Sequence, residues 1–359
     1  MKKRFRGSGC AFFAPPILMA TIFVLGSSAT LQGQSVYQVT NLVSDIANPP
    51  GGAPQIVDPD LVNPWGMSFS AASPFWIANQ GTGTSTLYSG DTVNPNGTRN
   101  PLTKSPLTVV ISGPPTGTVF SGSNDFVLPN GQPARFLFAA LDGTISGWNS
   151  GTTAVTVAQT TGGIYTGLAL ISNDVGNFLA AANVAQGNID VFDGNFNPVT
   201  LPGGFIDPDL PGGFTPFNIQ NLGGELYVAY QNSLDPEHDG VVDVFDGQGN
   251  FSRRIASGDP LNAPWGLALA PANFGVFSKA LLVGNFGLGD GRINAFDPQS
   301  GDFLGQLSDI DGNPIVLERI WALAVGNDGS AGSIGDIYFA AGINEQQDGL
   351  FGRISFVSP

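Results

Sequence analysis

The chain has 359 residues, enough for a large core, yet only 11% are charged, while Gly (50) and Pro (27) abound. So many turn formers, with 42% hydrophobic residues and 26 Phe, exclude a helical bundle and a disordered chain, and point to many short packed strands. Thirteen Lys and Arg against 28 Asp and Glu give a net charge of −15, which argues against nucleic acid or anionic lipid as a partner.

The first predicted element is a signal peptide over residues 1–29. Lys2, Lys3, Arg4 and Arg6 form a positive start, and Phe12 to Leu25 an apolar stretch broken by Pro15 and Pro16. Ser27 and Ala29 suit the −3 and −1 positions of a cut, with an alternative cut after Gly33. The apolar run is shorter than the ~20 residues that span a bilayer. The expectation is export to the periplasm or the extracellular space, with no stable membrane anchor after cleavage. Cys10 leaves with the peptide, so residues 30–359 would hold no cysteine and carry a net charge of −19, from nine basic and 28 acidic residues. Disulfides, thiolate catalysis and Cys-based metal sites are then excluded. The C-terminal Phe356-Val357-Ser358-Pro359 is expected to carry no anchor or sorting tail.

An alternating segment, Val36 to Val43, reads as a lone strand. Four-strand units follow. Asn63-Pro64-Trp65-Gly66-Met67 leads to Phe75-Trp76-Ile77-Ala78-Asn79 and Ser85-Thr86-Leu87-Tyr88. The second unit opens on Asn124-Asp125-Phe126-Val127, the third on Thr166-Gly167-Leu168-Ala169-Leu170, the fourth on Pro216-Phe217-Asn218-Ile219. The fifth is the clearest: Asn262-Ala263-Pro264-Trp265-Gly266-Leu267, then Leu281-Leu282-Val283-Gly284-Asn285, Arg292-Ile293-Asn294-Ala295-Phe296-Asp297 and Phe303-Leu304-Gly305-Gln306. The sixth begins at Ile320-Trp321-Ala322 and ends after its third strand. A linker recurs as Asp58-Pro59-Asp60-Leu61 and Asp207-Pro208-Asp209-Leu210. Units at ~40–60-residue spacing predict an all-β, six-bladed β-propeller with four-stranded blades. Val36–Val43 then closes the last blade and removes its open edge.

The Pro-Trp-Gly-Leu-Ala, Leu-Leu-Val-Gly-Asn and Arg-Ile-Asn-Ala-Phe-Asp series of the fifth unit resembles the NHL-type propeller repeat. Asn63-Pro64-Trp65-Gly66, Gly81-Thr82-Gly83-Thr84-Ser85-Thr86-Leu87-Tyr88 and Gln347-Asp348-Gly349-Leu350-Phe351-Gly352 resemble an exported bacterial family found among PEP-CTERM-associated proteins. The resemblance implies a fold and brings no activity.

With strands A to D running outward in each blade, the B–C loops and D-to-A connections share one face, and the A–B and C–D turns the other. The longer polar loops, at 79–84, 231–239, 285–290 and 344–348, fall on the B–C face, which predicts binding there. Asn63, Asp125, Asn218 and Asn262 sit at unit openings, so their oxygens are candidates for an axial Ca²⁺. Six-bladed hydrolases and lactonases hold such a cation. Trp65, Trp265 and Trp321 occupy one repeated position and are candidates for ligand stacking, against the alternative of packing between blades. His238, the only histidine, is the candidate general base. An Asn or Asp after each strand B (Asn79, Asp142, Asn183, Asn232, Asn285, Asn344) fits a turn.

No Gly-x-Ser-x-Gly, phosphate-loop or His-Glu-x-x-His motif is present. The leading expectation is a non-catalytic binding or scaffold propeller for an extracellular protein, peptide or glycan, recognised through the B–C face. The alternatives are a Ca²⁺-dependent hydrolase or lactonase with an axial site, and an envelope or matrix structural protein.

Overall fold

The computed structural model describes Met1 and residues 35–358, apart from 236, 237, 288 and 290, so the signal-peptide segment lies outside the described residues. The propeller unit starts at Ser35. Two strands precede the first blade, β1 (Val36–Ser44) and β2 (Ile56–Val57). The first blade is β3 (Pro64–Ser68), β4 (Phe75–Asn79), β5 (Thr84–Ser89) and β6 (Thr103–Val110). The second is β7 (Pro115–Phe120), β8 (Phe136–Ala140), β9 (Thr144–Trp148) and β10 (Val155–Gln159). The third is β11 (Tyr165–Ser172), β12 (Asn177–Asn183), β13 (Asn188–Phe192) and β14 (Pro198–Val199). The fourth is β15 (Phe214–Leu222), β16 (Glu225–Asn232), β17 (Val241–Phe245) and β18 (Phe251–Ser257). The fifth is β19 (Pro264–Leu269), β20 (Leu281–Asn285), β21 (Ile293–Phe296) and β22 (Phe303–Gln306). The last holds β23 (Ile320–Val325), β24 (Asp336–Ala341) and β25 (Leu350–Val357), completed by β1 and, outside it, β2.

The innermost strands touch in a closed circuit, β3–β7–β11–β15–β19–β23–β3. Closure rests on close backbone approach. The third residue of strand A is Gly66, Gly117, Gly167 and Gly266 in four blades. A Cβ on Gly66 would lie 2.3 Å from the Thr116 carbonyl oxygen, and one on Gly266 2.5 Å from that of Trp321. No side chain fits there.

The sixth blade is closed as expected. β1 runs antiparallel to β25, from Val36 opposite Val357 to Ser44 opposite Leu350. The first blade then reaches across the seam. Asp91, fully buried in its C–D loop, pairs with Arg353 of β25 and accepts the Tyr338 hydroxyl at 2.8 Å. Arg353 also donates to Thr40 Oγ1 of β1 at 3.1 Å, and Arg99 pairs with Asp336 at 2.6 Å.

The recurring linker has a repeated job. Asp58 accepts the Tyr88 hydroxyl at 2.5 Å and pairs with Lys104 of β6 at 2.6 Å. Asp207 pairs likewise with Arg254 of β18, whose Nε reaches Asp243 at 3.0 Å. Each linker is thereby tied to the outer strand of the blade it introduces.

The second blade differs from the expectation. Its inner strand is Pro115–Phe120, and Asn124 and Asp125 lie beyond it in the A–B connection. Pro115-Thr116-Gly117 is the counterpart of Pro64-Trp65-Gly66, but with Thr in place of Trp it does not stand out in the sequence.

Candidate functional site

In all six blades the ladder between strands A and B slips early in strand A, at its second or third residue in five blades and at its fourth, Phe217, in the fourth blade. Such a bulge re-aims the side chain it carries. Trp65, Phe217, Trp265 and Trp321 lie at these bulges, and they meet at the axis. Trp65 stacks on Trp321 at 3.5 Å between centroids, and Trp265 meets Trp321 edge-on at 5.7 Å. Phe286 packs on Trp321 at 4.1 Å and Phe217 on Phe286 at 5.7 Å. The three tryptophans are 6%, 3% and 1% exposed. The indole N–H of Trp265 donates to the Thr166 carbonyl and that of Trp321 to Asn63 Oδ1, each at 2.9 Å. Trp65 Nε1 is buried without a partner among the described residues. The tryptophans, candidates for ligand stacking or for packing, thus form a packed plug that shuts the channel near the B–C face.

Below the plug the channel widens into a funnel of about 560 Å³, lined by residues from every inner strand. Gly66, Asn218, Trp265 and Ala322 belong to its deep end. Phe69, Phe120, Leu170, Leu269 and Val325 belong to its mouth, where they are half-buried, so it opens on the A–B face. Among the described residues no ionisable side chain lines it. Its polar groups are neutral: a Ser68–Thr118 hydroxyl pair at 3.1 Å, and Asn218, Gln220 and Asn221 on β15. The inner edges of the six A strands pair with no other strand, so their backbone N–H and C=O groups also face the axis.

Asn218 interrupts the ring of small residues. Where four blades have Gly and the sixth has Ala322, the fourth places a carboxamide. Its Nδ2 donates to the Trp265 carbonyl at 2.8 Å and its Oδ1 accepts the Ile219 N–H at 2.8 Å. The junction to the fifth blade is bridged by a side chain there, while at four others strand backbone meets glycine.

The four candidate Ca²⁺ ligands are not brought together. Asp125 lies on the A–B side, where it accepts from Asn177 Nδ2 at 2.6 Å. Asn63 stands over the plug, with Nδ2 donating to Gln80 at 2.8 Å and Oδ1 engaged by Trp321. Asn218 is committed as described. Asn262 has a buried Oδ1 without a partner among the described residues, pressed against Gly287. Three scattered amides and a carboxylate on the opposite face do not fit a cation cage. Among the described residues no cluster of three or more His, Cys, Asp or Glu is placed to hold a metal.

His238 is on the B–C face with its side chain 70% exposed, Nδ1 lying 2.9 Å from Asp235 Oδ1. It shares a shallow pocket of about 330 Å³ with Asp259, Pro260 and Asn262. The residues after strand B serve turns and loop ends: Asp142 Oδ1 accepts the Thr144 N–H at 3.1 Å, Asn232 Oδ1 that of Leu234 at 3.0 Å, and Asn285 Oδ1 that of Asn262 at 3.1 Å.

Sequence reasoning missed the funnel. Its signal is the apolar continuation of the inner strands toward the A–B turn, as in Leu168-Ala169-Leu170, Leu267-Ala268-Leu269 and Leu323-Ala324-Val325. Ser68 and Thr118 interrupt it in the first two blades, and the fourth breaks it most, with Asn218, Gln220 and Asn221.

Among known proteins, Uncharacterized protein R648 of Acanthamoeba polyphaga mimivirus is 33% identical over 322 residues, 83% of this chain and 76% of the viral one. Uncharacterized protein L690 of the same virus is 32% identical over 327 residues, 83% of this chain and 81% of its own. The chain belongs to their family. No family model matches it. A Bacteroides thetaiotaomicron protein of unknown function superposes with a TM-score of 0.54 at 13% identity, covering 90% of this chain and 77% of that one. A streptogramin B lyase superposes with a TM-score of 0.51 at 11% identity, covering 90% and 98%. At such identities the likeness shows the propeller fold alone. The mimivirus relatives lend no support to membership in the bacterial PEP-CTERM-associated group, whereas the six-bladed fold expected from the repeats stands.

Proposed function

We propose that this chain is a non-catalytic binding propeller that takes a small, largely apolar molecule into the axial funnel from the A–B face. The observation that carries it is the blind cavity of about 560 Å³, bounded by all six inner strands and, among the described residues, free of ionisable side chains. A rigid, concave, mostly apolar space of this size suits a compact organic ligand. The same lining offers no ionisable acid or base to activate its Ser68 and Thr118 hydroxyls for a reaction. The solvatochromic neutral dye prodan is the test. Its emission is expected to shift to the blue on binding, and Val325→Arg or Leu269→Arg at the mouth to weaken binding about tenfold or more by placing a charge on the apolar wall. Binding that ignores both substitutions would overturn the proposal.

Recognition of a protein, peptide or glycan through the B–C loops is the second reading, favoured by the pocket around His238 and Asn262. A His238→Ala effect on partner capture, with the mouth variants silent, would select it. Export of the chain and kinship with exported bacterial proteins are part of the proposal, supported by the basic, apolar and small-residue order of residues 1–29 and by the Asn63-Pro64-Trp65-Gly66 opening.

A further inference from the structure

We propose that the funnel selects an uncharged ligand carrying an amide group, and that Gln220 is the residue that recognises it. The inference rests on the funnel being the binding site. Gln220 follows Asn218 by two positions on β15, so both side chains project from the same side of the strand. Asn218 reaches the Trp265 carbonyl, which sets that side toward the inner strand of the fifth blade. Both residues line the funnel. Asn218 is committed to its neighbours, whereas the Gln220 carboxamide, half-buried, makes no hydrogen bond to any described residue.

An apolar ligand that fills the funnel displaces the water around that carboxamide. Unless the ligand replaces the lost partners, the burial is unfavourable. A carboxamide offers an N–H donor and a carbonyl acceptor side by side, and another amide matches both at once. The backbone edges around the axis, which no further strand pairs, carry the same two kinds of group. A carboxylate or an ammonium would lose its hydration against a wall with no ionisable side chain to pair with it. The chain's net charge of −15 adds long-range repulsion for the carboxylate.

Three probes on one skeleton test this: naphthylacetamide, naphthylacetate and naphthylethylammonium, titrated by calorimetry at high salt into the whole protein, with prodan as the reference ligand. The amide is expected to bind about tenfold tighter than either ion. Gln220→Leu, which keeps the bulk and removes the amide, is expected to weaken naphthylacetamide about tenfold and prodan, whose ketone can only accept, by clearly less. An unchanged melting transition confirms that the variant is folded, and Gln220→Asn gives a second variant that keeps the amide on a shorter arm. Prodan binding with equal affinities for the three naphthyl probes, or an amide affinity untouched by Gln220→Leu, overturns the inference and leaves the funnel as the site. Absence of all binding, prodan included, removes the site and the inference together.

Discussion

Asp243 is a carboxyl group held in an unusual state. It is fully buried on β17, one of its oxygens has no partner, and Arg254 beside it is shared with Asp207. Burial outweighs the arginine and pushes its pKa up from 3.8 to about 7. The folded chain therefore keeps a proton that the unfolded chain has released, and stability falls as pH rises from 3.8 to about 7, then levels off. The slope from this group is at most ~1.4 kcal/mol per pH unit. Asp243→Asn should remove it, so that the variant matches the native chain at the acid end and exceeds it at the alkaline end. Urea unfolding across that range measures the difference, and parallel profiles would refute it. Gly266 offers a second test. Alanine there puts a methyl group against the Trp321 carbonyl, and overpacking of this kind costs ~1–3 kcal/mol in urea unfolding. The repeated Pro-Trp-Gly was legible in the sequence, which offered both packing between blades and ligand stacking for its tryptophans, and the structure buries all three. Both readings use the same residues, and only the bulge at each one decides where the side chain points.

At the scale of elements, the seam between first and last blades concentrates the polar bonds. Asp91 is enclosed by Arg353, Tyr338 and, at 3.6 Å, Arg99. Arg353→Met removes the nearest charge from a buried carboxylate and frees Thr40 of β1. The expected loss is ~3 kcal/mol, at the low end for a broken buried pair because Arg99 remains. Hydrogen exchange on the variant should then report faster opening of β1 and β25 than of β15 and β16, and uniform protection would contradict the role of Arg353 in holding the seam. The closing strand was legible because the sixth unit lacked one strand and Val36–Val43 had the alternation to supply it. The second blade was misplaced because Thr116 gives no aromatic marker and the A–B connection after it runs to Arg135. Asp125 was carried with that error to the wrong face of the ring.

For the whole molecule, blade geometry correctly separated two faces, and loop length then favoured the B–C side. The channel itself is decided by side chains meeting across the axis, from strands more than two hundred residues apart, and no local pattern in the sequence records that meeting. Trp65, Trp265 and Trp321 shut one end, and the apolar ends of the inner strands leave the other open. The loops and the cavity therefore point to opposite faces, and a bound ligand can be seen on only one of them. The measurement that decides is a crystal of the whole protein soaked in naphthylacetamide. Density for the ring is expected between the six inner strands, below Trp265, with the amide within hydrogen-bonding distance of Gln220. Density beside His238 on the B–C face, with the funnel holding only water, would show that the function lies on the other side of the ring.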